Sequence, residues 1–302
     1  MSGQEPLAIV GVGCRLPGGV ASLSDLEALL REGRSGIVAV PEERWDAAAL
    51  YHPDFHKRGH LQALRGGFIE NVSSFDAGFF GIAPKEALRM DPQQRLILET
   101  SFEAVEDAGI PLSELAGSRT SCFVGAGSHD YGTIQTERVQ IGPTSNTGAA
   151  GSIISNRVSF MFDLRGPSAT VDTACSSALV ALHLACRSIW DGSADCAFAG
   201  GVNLILRPES SLGFSKGGYL SPDCECRAFS DHANGYVRSE GAAMALLVPL
   251  SQAERRGLRV HGVVLATVLN QDGRTPGMTM PSREAQEAML REAYGQAGVE
   301  PD

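Results

Sequence analysis

Short apolar runs alternate with helical patterns along the chain, and this alternation limits the possible folds more than any other feature. Runs such as LAIVGVGC, SCFVGAG and DCAFAGGVNLIL are typical of strands that are buried on both faces. Between them lie helical patterns such as RMDPQQRLILETSFEAVEDAG and SREAQEAMLREAYGQAG. We therefore predict an α/β fold with a largely buried sheet. No low-complexity linker interrupts residues 1–302, so we expect one domain without an internal boundary.

The composition argues against several classes of protein. A formal net charge of -10 disfavours a nucleic-acid binder, because such proteins usually carry a basic surface. No run of about 18 apolar residues is present, so no membrane span is predicted. The N-terminal MSGQEPLAIVGVGC lacks the basic region of a signal peptide. Seven cysteines, an odd number, do not suggest a disulfide framework, and we expect a cytoplasmic protein.

Cys175 follows the strand-like SATV and precedes the apolar SSALVALHLACRSIW, which predicts a buried helix. The cysteine should therefore lie at or just before a helix N-terminus, where free N–H groups and the helix dipole favour a thiolate nucleophile. The same amides are suited to stabilising an oxyanion, and small neighbours (Ala174, Ser176 and Ser177) leave room for an acyl group. The competing interpretation is a buried structural cysteine. His183 lies within the same helix and is expected to be a core residue.

Three other motifs are weaker. GVGCRLPGG begins like a dinucleotide-binding loop, but Leu16 stands where the third glycine belongs. GFSKG matches G-x-S-x-G and makes Ser215 a second candidate nucleophile, although neither the preceding strand nor the following helix is evident. Cys224, Cys226 and His232 lack the usual zinc spacing and a fourth ligand, so we expect no metal site there.

Several local elements follow from the same patterns. The helix in SLSDLEALLREG is expected to begin after Ser24 as its N-cap. Pro92 fits the first turn of the helix in DPQQRLILE, whose charged side is expected to face solvent or an interface. A small-residue helix is predicted over SNTGAAGSIISNRVSFMFD and a strand over VHGVVLATVLNQ, and a long loop should extend to Tyr236.

The segment GPSATVDTACSSALVALHLAC resembles the active-site segment of the β-ketoacyl synthase (ketosynthase) domains of modular type I polyketide synthases. Other segments resemble successive signatures of that family in the same order. The resemblance runs from about Leu7 to the end of the chain, through IVGVGCRLPGG, DAGFFGIAPKEALRMDPQQRLILE, ISNRVSFMFDLRGPS, YLSPDCECRAFSDHANGYVRSEGAA and NQDGRTPGMTMPS.

This resemblance implies a thiolase-like, five-layered α-β-α-β-α fold, of which the chain supplies the N-terminal half and the beginning of the C-terminal half. It implies decarboxylative Claisen condensation in polyketide chain elongation, with the acyl chain held as a thioester on Cys175. An acyl carrier protein is the expected partner and brings phosphopantetheine, so no directly bound cofactor is expected. Acyl and malonyl-type thioesters are the expected substrates. A homodimer is also implied, with the small residues between Thr144 and Ser155 at its interface.

The chain departs from the family pattern in one important respect. The family uses two histidines, one of them in His-Gly-Thr-Gly-Thr, and a lysine that follow the last segment found here. We therefore expect the 302-residue chain to stop before these residues and to be nearly inactive in condensation alone. The alternative is a non-catalytic remnant that acts as a structural or dimerisation partner. None of the seven histidines precedes Gly-Thr-Gly: His52, His56, His60, His129, His183, His232 and His261.

Overall fold

The computed structural model describes residues 4–135, 139 and 141–300, and its strands and helices confirm the α/β class. The strands are β1 (Leu7–Arg15), β2 (Ile37–Ala39), β3 (Arg65–Gly67), β4 (Thr120–Gly125), β5 (Ser168–Val171), β6 (Cys196–Asn203), β7 (Gly241–Pro249) and β8 (Gly262–Val264). The helices are α1 (Leu23–Arg31), α2 (Ala47–Leu50), α3 (Pro84–Ala87), α4 (Pro92–Asp107), α5 (Leu112–Leu115), α6 (Asp130–Ile134), α7 (Ser145–Ala149), α8 (Ile153–Met161), α9 (Ser177–Trp190), α10 (Glu209–Lys216), α11 (Leu250–Arg256) and α12 (Arg283–Ala297).

Six strands form the main sheet, in the order β5-β4-β6-β7-β1-β8. The first three are parallel, and Cys122 of β4 pairs with Ser168 of β5 and with Phe198 of β6. The pairs β6–β7, β7–β1 and β1–β8 are antiparallel. The carboxyl ends of the three parallel strands lie at one edge of the sheet, so the loops that follow them meet there.

Two glycines in β1 allow α4 to lie directly on the sheet. A Cβ atom on Gly11 would be 1.9 Å from the carbonyl oxygen of Ala104, and one on Gly13 would be 2.2 Å from that of Thr100. Glycine inside a strand commonly marks such a close backbone approach. Gly11 and Gly13 of GVGCRLPGG therefore serve helix packing within a strand and do not form a dinucleotide-binding loop.

Helices cover both faces of the sheet. α4 packs on β1 and β7, and α8 packs on β4 and β5, whereas α9 packs on β4 and β6 from the opposite side. Ala181 and Ala185 of α9 are fully buried against the sheet, but Leu179 is 70% exposed. The expectation that α9 is buried all round is thus met on one face only, because the described chain supplies the sheet as a cover but leaves much of the other face open.

The polar side chains at the start of α4 are buried, so the expectation of a solvated or interface surface is wrong there. The Gln94 side-chain amide donates to the carbonyl oxygens of Thr147 and Gly148, each at 2.9 Å. Arg157 Nε of α8 donates to Gln94 Oε1 at 2.9 Å, and the Arg95 guanidinium donates to nearby backbone carbonyls. These bonds replace the water that the groups would otherwise need, and they fix α7 and α8 against α4.

A buried carboxylate joins three distant segments. The side chain of Glu240 is fully buried and accepts hydrogen bonds from the backbone N–H groups of Ile69 (2.8 Å) and Ile205 (2.9 Å). Its charge is paired with Arg44, 3.2 Å away and 5% exposed. Arg44 lies between β2 and β3, which form a small antiparallel sheet of their own. Glu240 therefore fastens this smaller sheet to the main one.

Four local expectations need correction. Ser22, not Ser24, caps α1, since its Oγ accepts from the backbone N–H of Asp25 at 3.2 Å. The loop expected up to Tyr236 contains α10, and the strand expected over VHGVVLATVLNQ is limited to β8. The segment SNTGAAGSIISNRVSFMFD forms two helices, α7 and α8, with Ala150 in extended conformation between them. Patterns of apolar residues located α1, α8 and β8 but not their ends, and they missed α10.

Replacing Glu240 with alanine is expected to lower the free energy of unfolding by about 3–5 kcal/mol, because it leaves the Arg44 charge buried without its partner. Urea unfolding of the variant and of the unmodified protein measures this loss. The control is Glu209→Ala, which removes an exposed carboxylate paired with Arg207 and should cost at most about 1 kcal/mol. Equal, small losses in both variants would contradict the role given to Glu240.

Candidate active site

Cys175 lies where β5 passes into α9, as the sequence predicted. It is the middle residue of a 3₁₀ turn, Ala174–Ser176, and α9 begins at Ser177. The residue is exposed to solvent. A structural role in the core does not fit this exposure, whereas access by a substrate does.

The turn that carries Cys175 holds a left-handed residue. Ala174 has φ of +55°, a conformation that costs a residue with a Cβ atom roughly 1–2 kcal/mol. The backbone N–H of Ala174 donates to Oδ1 of Asp172 at 3.0 Å. Strain of this kind persists only where surrounding contacts enforce it, and it clusters at functional sites.

Serine hydroxyls complete the turn. Ser177 Oγ accepts from the backbone N–H of Thr173 at 2.8 Å and donates to the carbonyl oxygen of Ala174 at 2.7 Å. Ser176 Oγ donates to the carbonyl oxygen of Thr173 at 2.9 Å. Ser177 is buried and Ser176 is exposed, so the bonds of Ser177 are the ones shielded from water.

The first turn of α9 rests on two glycines at the ends of neighbouring strands. A Cβ atom on Gly125 of β4 would be 2.4 Å from the backbone nitrogen of Ala178, and one on Gly201 of β6 would be 2.8 Å from the Ala178 Cβ. Neither position has room for a side chain. This close approach sets the height of the helix start, and therefore of Cys175, above the edge of the sheet.

The other cysteines lie in different environments. Burial raises the pKa of the Cys122 and Cys186 thiols to about 12, so neither supplies a thiolate near neutral pH. Cys14, Cys196 and Cys224 are buried as well, and Cys226 is the second exposed cysteine. Its Sγ accepts the backbone N–H of Val237 at 3.1 Å.

The structure does not support Ser215 as a nucleophile. Within residues 4–135, 139 and 141–300, no group of three or more potential ligands is arranged to hold a metal ion. Ser215 lies inside α10 and is 3% exposed, so it does not occupy the strand-to-helix turn of a serine hydrolase. In the same part of the chain, every helix is too short or too polar to cross a bilayer.

His183 and His261 form hydrogen bonds to other side chains of the chain. His183 Nδ1 is 2.8 Å from Oγ1 of Thr267, and burial, together with Arg187, lowers the pKa of this imidazole. His183 is thus half-buried on α9 and not a fully buried core residue as expected. His261 Nε2 is 2.6 Å from Oδ2 of Asp107 at the end of α4. Each hydrogen bond joins a helix to an irregular segment that flanks β8.

An aromatic cluster around Phe214 was not predicted from the sequence. Burial raises the pKa of Tyr236, and the nearby Cys175 raises it further while Arg238 opposes both. The Tyr236 ring packs edge-on against Phe214 at 6.1 Å, and the guanidinium of Arg238 lies 5.0 Å from the centre of the same Phe214 ring. Tyr236 lies within YLSPDCECRAFSDHANGYVRSEGAA, where aromatic residues next to a conformationally irregular loop were the available signal.

Comparisons with known proteins agree with this geometry. Residues 4–253 match the family model of the β-ketoacyl synthase N-terminal domain. The chain is 46% identical over 299 residues to one of the phenolphthiocerol/phthiocerol polyketide synthase proteins of Mycobacterium tuberculosis, covering 99% of this chain and 19% of that protein. It is 49% identical over 302 residues to fumosorinone synthetase of Cordyceps fumosorosea, covering 98% of this chain and 7% of that protein.

Two solved structures share the fold. The oxazolomycin ketosynthase domain of Streptomyces albus JA3453 superposes with a TM-score of 0.92 at 41% identity, over 98% of this chain and 51% of that one. A ketosynthase from module 6 of the bacillaene synthase of Bacillus subtilis 168 superposes with a TM-score of 0.90 at 34% identity, over 98% and 49%.

The chain thus spans about half the length of the solved ketosynthases and less than a fifth of the curated relatives. The superpositions confirm a thiolase-like α/β fold. Together with the family match and the relatives, they show that this chain belongs to the β-ketoacyl synthase family and is a ketosynthase region of the polyketide synthase type.

Proposed function

We propose that Cys175 is the acyl acceptor of a condensing enzyme that elongates polyketide chains in the cytoplasm. The observation that carries the proposal is the exposed thiol on a strained turn at the start of α9, in a chain that belongs to the ketosynthase family. A nucleophile needs both access and a stabilised anion, and this position offers both.

The first half of the proposed reaction is acyl transfer. The Cys175 thiolate attacks the carbonyl carbon of an acyl thioester on the phosphopantetheine arm of a carrier protein. A new C–S bond to Cys175 forms as the C–S bond to the arm breaks, the arm leaves as a thiolate that takes up a proton from water, and the acyl chain remains on Cys175. Backbone N–H groups of the first turn of α9 stabilise the transient oxyanion. This chain needs no cofactor of its own for the step, because the arm arrives with the carrier.

The second half is condensation. A malonyl-type thioester loses CO₂, and the resulting carbanion attacks the carbonyl carbon of the thioester on Cys175. A new C–C bond forms, and the Cys175 sulfur is released as a thiolate. The proton transfers and the stabilisation of the enolate need donors besides this turn, and general acid–base or oxyanion donors each contribute roughly 10²–10⁴ in rate. The resemblance assigns these roles to two histidines and a lysine in segments outside those matched here. A polypeptide of these 302 residues alone is therefore expected to accept an acyl group but to condense poorly.

We propose that the region works within a homodimer and that residues 1–302 fold as part of one ketosynthase domain. β5 is the outer strand of the main sheet, and such an edge offers backbone groups for pairing with a second copy. Phe160 lies on α8, the helix that packs on β5, and is 81% exposed. An exposed aromatic side chain next to a free strand edge supports the proposal that a second copy covers this surface.

Iodoacetamide is expected to modify Cys175 and Cys226 while the five buried thiols remain unmodified, because only these two cysteines are exposed. Peptide mass spectrometry of the native protein measures each site separately. Unfolding in urea serves as the control and should expose all seven cysteines. Protection of Cys175 in the native protein would contradict the proposed access to its thiol.

Replacing Cys175 with alanine in a polypeptide that carries the complete ketosynthase domain is expected to reduce formation of the β-ketoacyl product by about 10³-fold or more, because the covalent intermediate is lost. The readout is product formation from a carrier-bound acyl group and a malonyl-type thioester. Cys226→Ala, which removes the other exposed thiol, should retain activity. Full activity of Cys175→Ala would contradict the assignment of Cys175 as the nucleophile. If the unmodified protein neither takes up an acyl group nor condenses, a structural role for the region would be favoured.

A further inference from the structure

The buried hydroxyl of Ser177 closes the turn that presents the nucleophile, and we propose that Ser177 is a positioning residue for Cys175. This inference rests on the function proposed above and adds a residue to it. Ser177 acts through the backbone on both sides of Ala174 and not by contact with the substrate.

The hydroxyl bridges two peptide groups that the left-handed residue separates. It accepts from the N–H of Thr173 at 2.8 Å and donates to the carbonyl oxygen of Ala174 at 2.7 Å. Both lone-pair and proton functions of the hydroxyl are therefore used. The bridge spans the residue at φ of +55°, so it acts where the backbone is least favourable.

Burial distinguishes Ser177 from its neighbours in the same turn. Ser177 is 6% exposed, because the end of β4 at Gly125 lies directly against it. Asp172 and Ser176, which also bond within the turn, are exposed, and water competes for their hydrogen bonds. The hydrogen bonds of the Ser177 hydroxyl are shielded from water, so their loss should cost more than the loss of the exposed ones.

Without the bridge, Ala174 is expected to relax toward an ordinary backbone conformation. That change rotates the next residue, Cys175, relative to the axis of α9. The thiol then no longer faces the positive end of the helix, where an anion is favoured. Loss of the Ser177 hydroxyl therefore changes the position of the Cys175 thiol and the electrostatic potential around it. The helix α9 itself remains packed on the sheet.

The experiment compares three serine deletions in the full chain: Ser177→Ala, Ser176→Ala and Ser188→Ala. Ser176 is the exposed neighbour, and Ser188 is an equally buried hydroxyl near the other end of α9, bonded to Ser121 at 2.8 Å. Native proteins are treated with anionic iodoacetate and neutral iodoacetamide, and peptide mass spectrometry gives both rates at Cys175. Cys226 is the internal reference in each sample, and protection of the buried cysteines shows that the protein is folded.

Ser177→Ala is expected to lower the ratio of iodoacetate to iodoacetamide rates at Cys175 by roughly two- to fivefold, which corresponds to the influence of a helix end on a nearby charge. Its rate of acyl uptake from a small-molecule acyl thioester should fall about tenfold or more, since misplacement of a reacting group by about 1 Å costs up to about 10²-fold. Ser188→Ala should leave both quantities near those of the unmodified protein, and Ser176→Ala should change them less than Ser177→Ala does. A purely structural role would lower thermal stability without moving the ratio of rates.

Ala174→Gly provides a second, independent test in the Ser177→Ala background. Glycine adopts the left-handed conformation without strain, so it should restore most of the rate ratio and of the acyl uptake. An unchanged ratio and unchanged uptake in folded Ser177→Ala would overturn the inference. Failure of the unmodified protein to take up any acyl group would instead count against the proposed function, so the two failures can be told apart.

Discussion

The site depends on how closely the first turn of α9 approaches the parallel strands. Gly125 and Gly201, at the ends of β4 and β6, leave room for the backbone and Cβ of Ala178 and for nothing larger. Because the helix start is fixed against the sheet, the turn before it has few conformations left, and one of them places Ala174 in the left-handed region. The cost of that conformation is offset by local hydrogen bonds, and the result is a thiol held outside the core at the positive end of a helix.

Buried polar groups hold the segments that surround this edge. Glu240, paired with Arg44, ties the small β2–β3 sheet to the loop after β6, and Gln94, bonded to Arg157, ties α4 to α7 and α8. Each group would be costly to bury alone, so each is satisfied by several partners from distant parts of the chain. The chemistry at Cys175 and the packing of the loops therefore depend on separate sets of interactions.

The sequence predicted the parts that local patterns control. The alternation of apolar strands and helices predicted the α/β class, Pro92 marked the start of α4, and the strand-to-helix passage predicted the location of Cys175. It did not reveal that the polar start of α4 is buried, because a polar residue facing solvent and one satisfied by distant carbonyl groups have the same local pattern. Tyr236 was missed for a related reason: the charge of Cys175 influences its pKa although the two residues are about 60 positions apart in sequence. Periodicity also did not reveal that one face of α9, which carries Leu179, is open in the described residues.

The most direct test of the central claim is to locate the acyl group on the protein. The full chain is incubated with an acyl thioester, digested without reducing agent, and analysed by peptide mass spectrometry. We predict an acyl adduct on Cys175 and none on Cys226, although both thiols are exposed. An adduct confined to another residue, or equal modification of the two cysteines, would contradict the claim that the strained turn and the start of α9 make Cys175 the acyl acceptor.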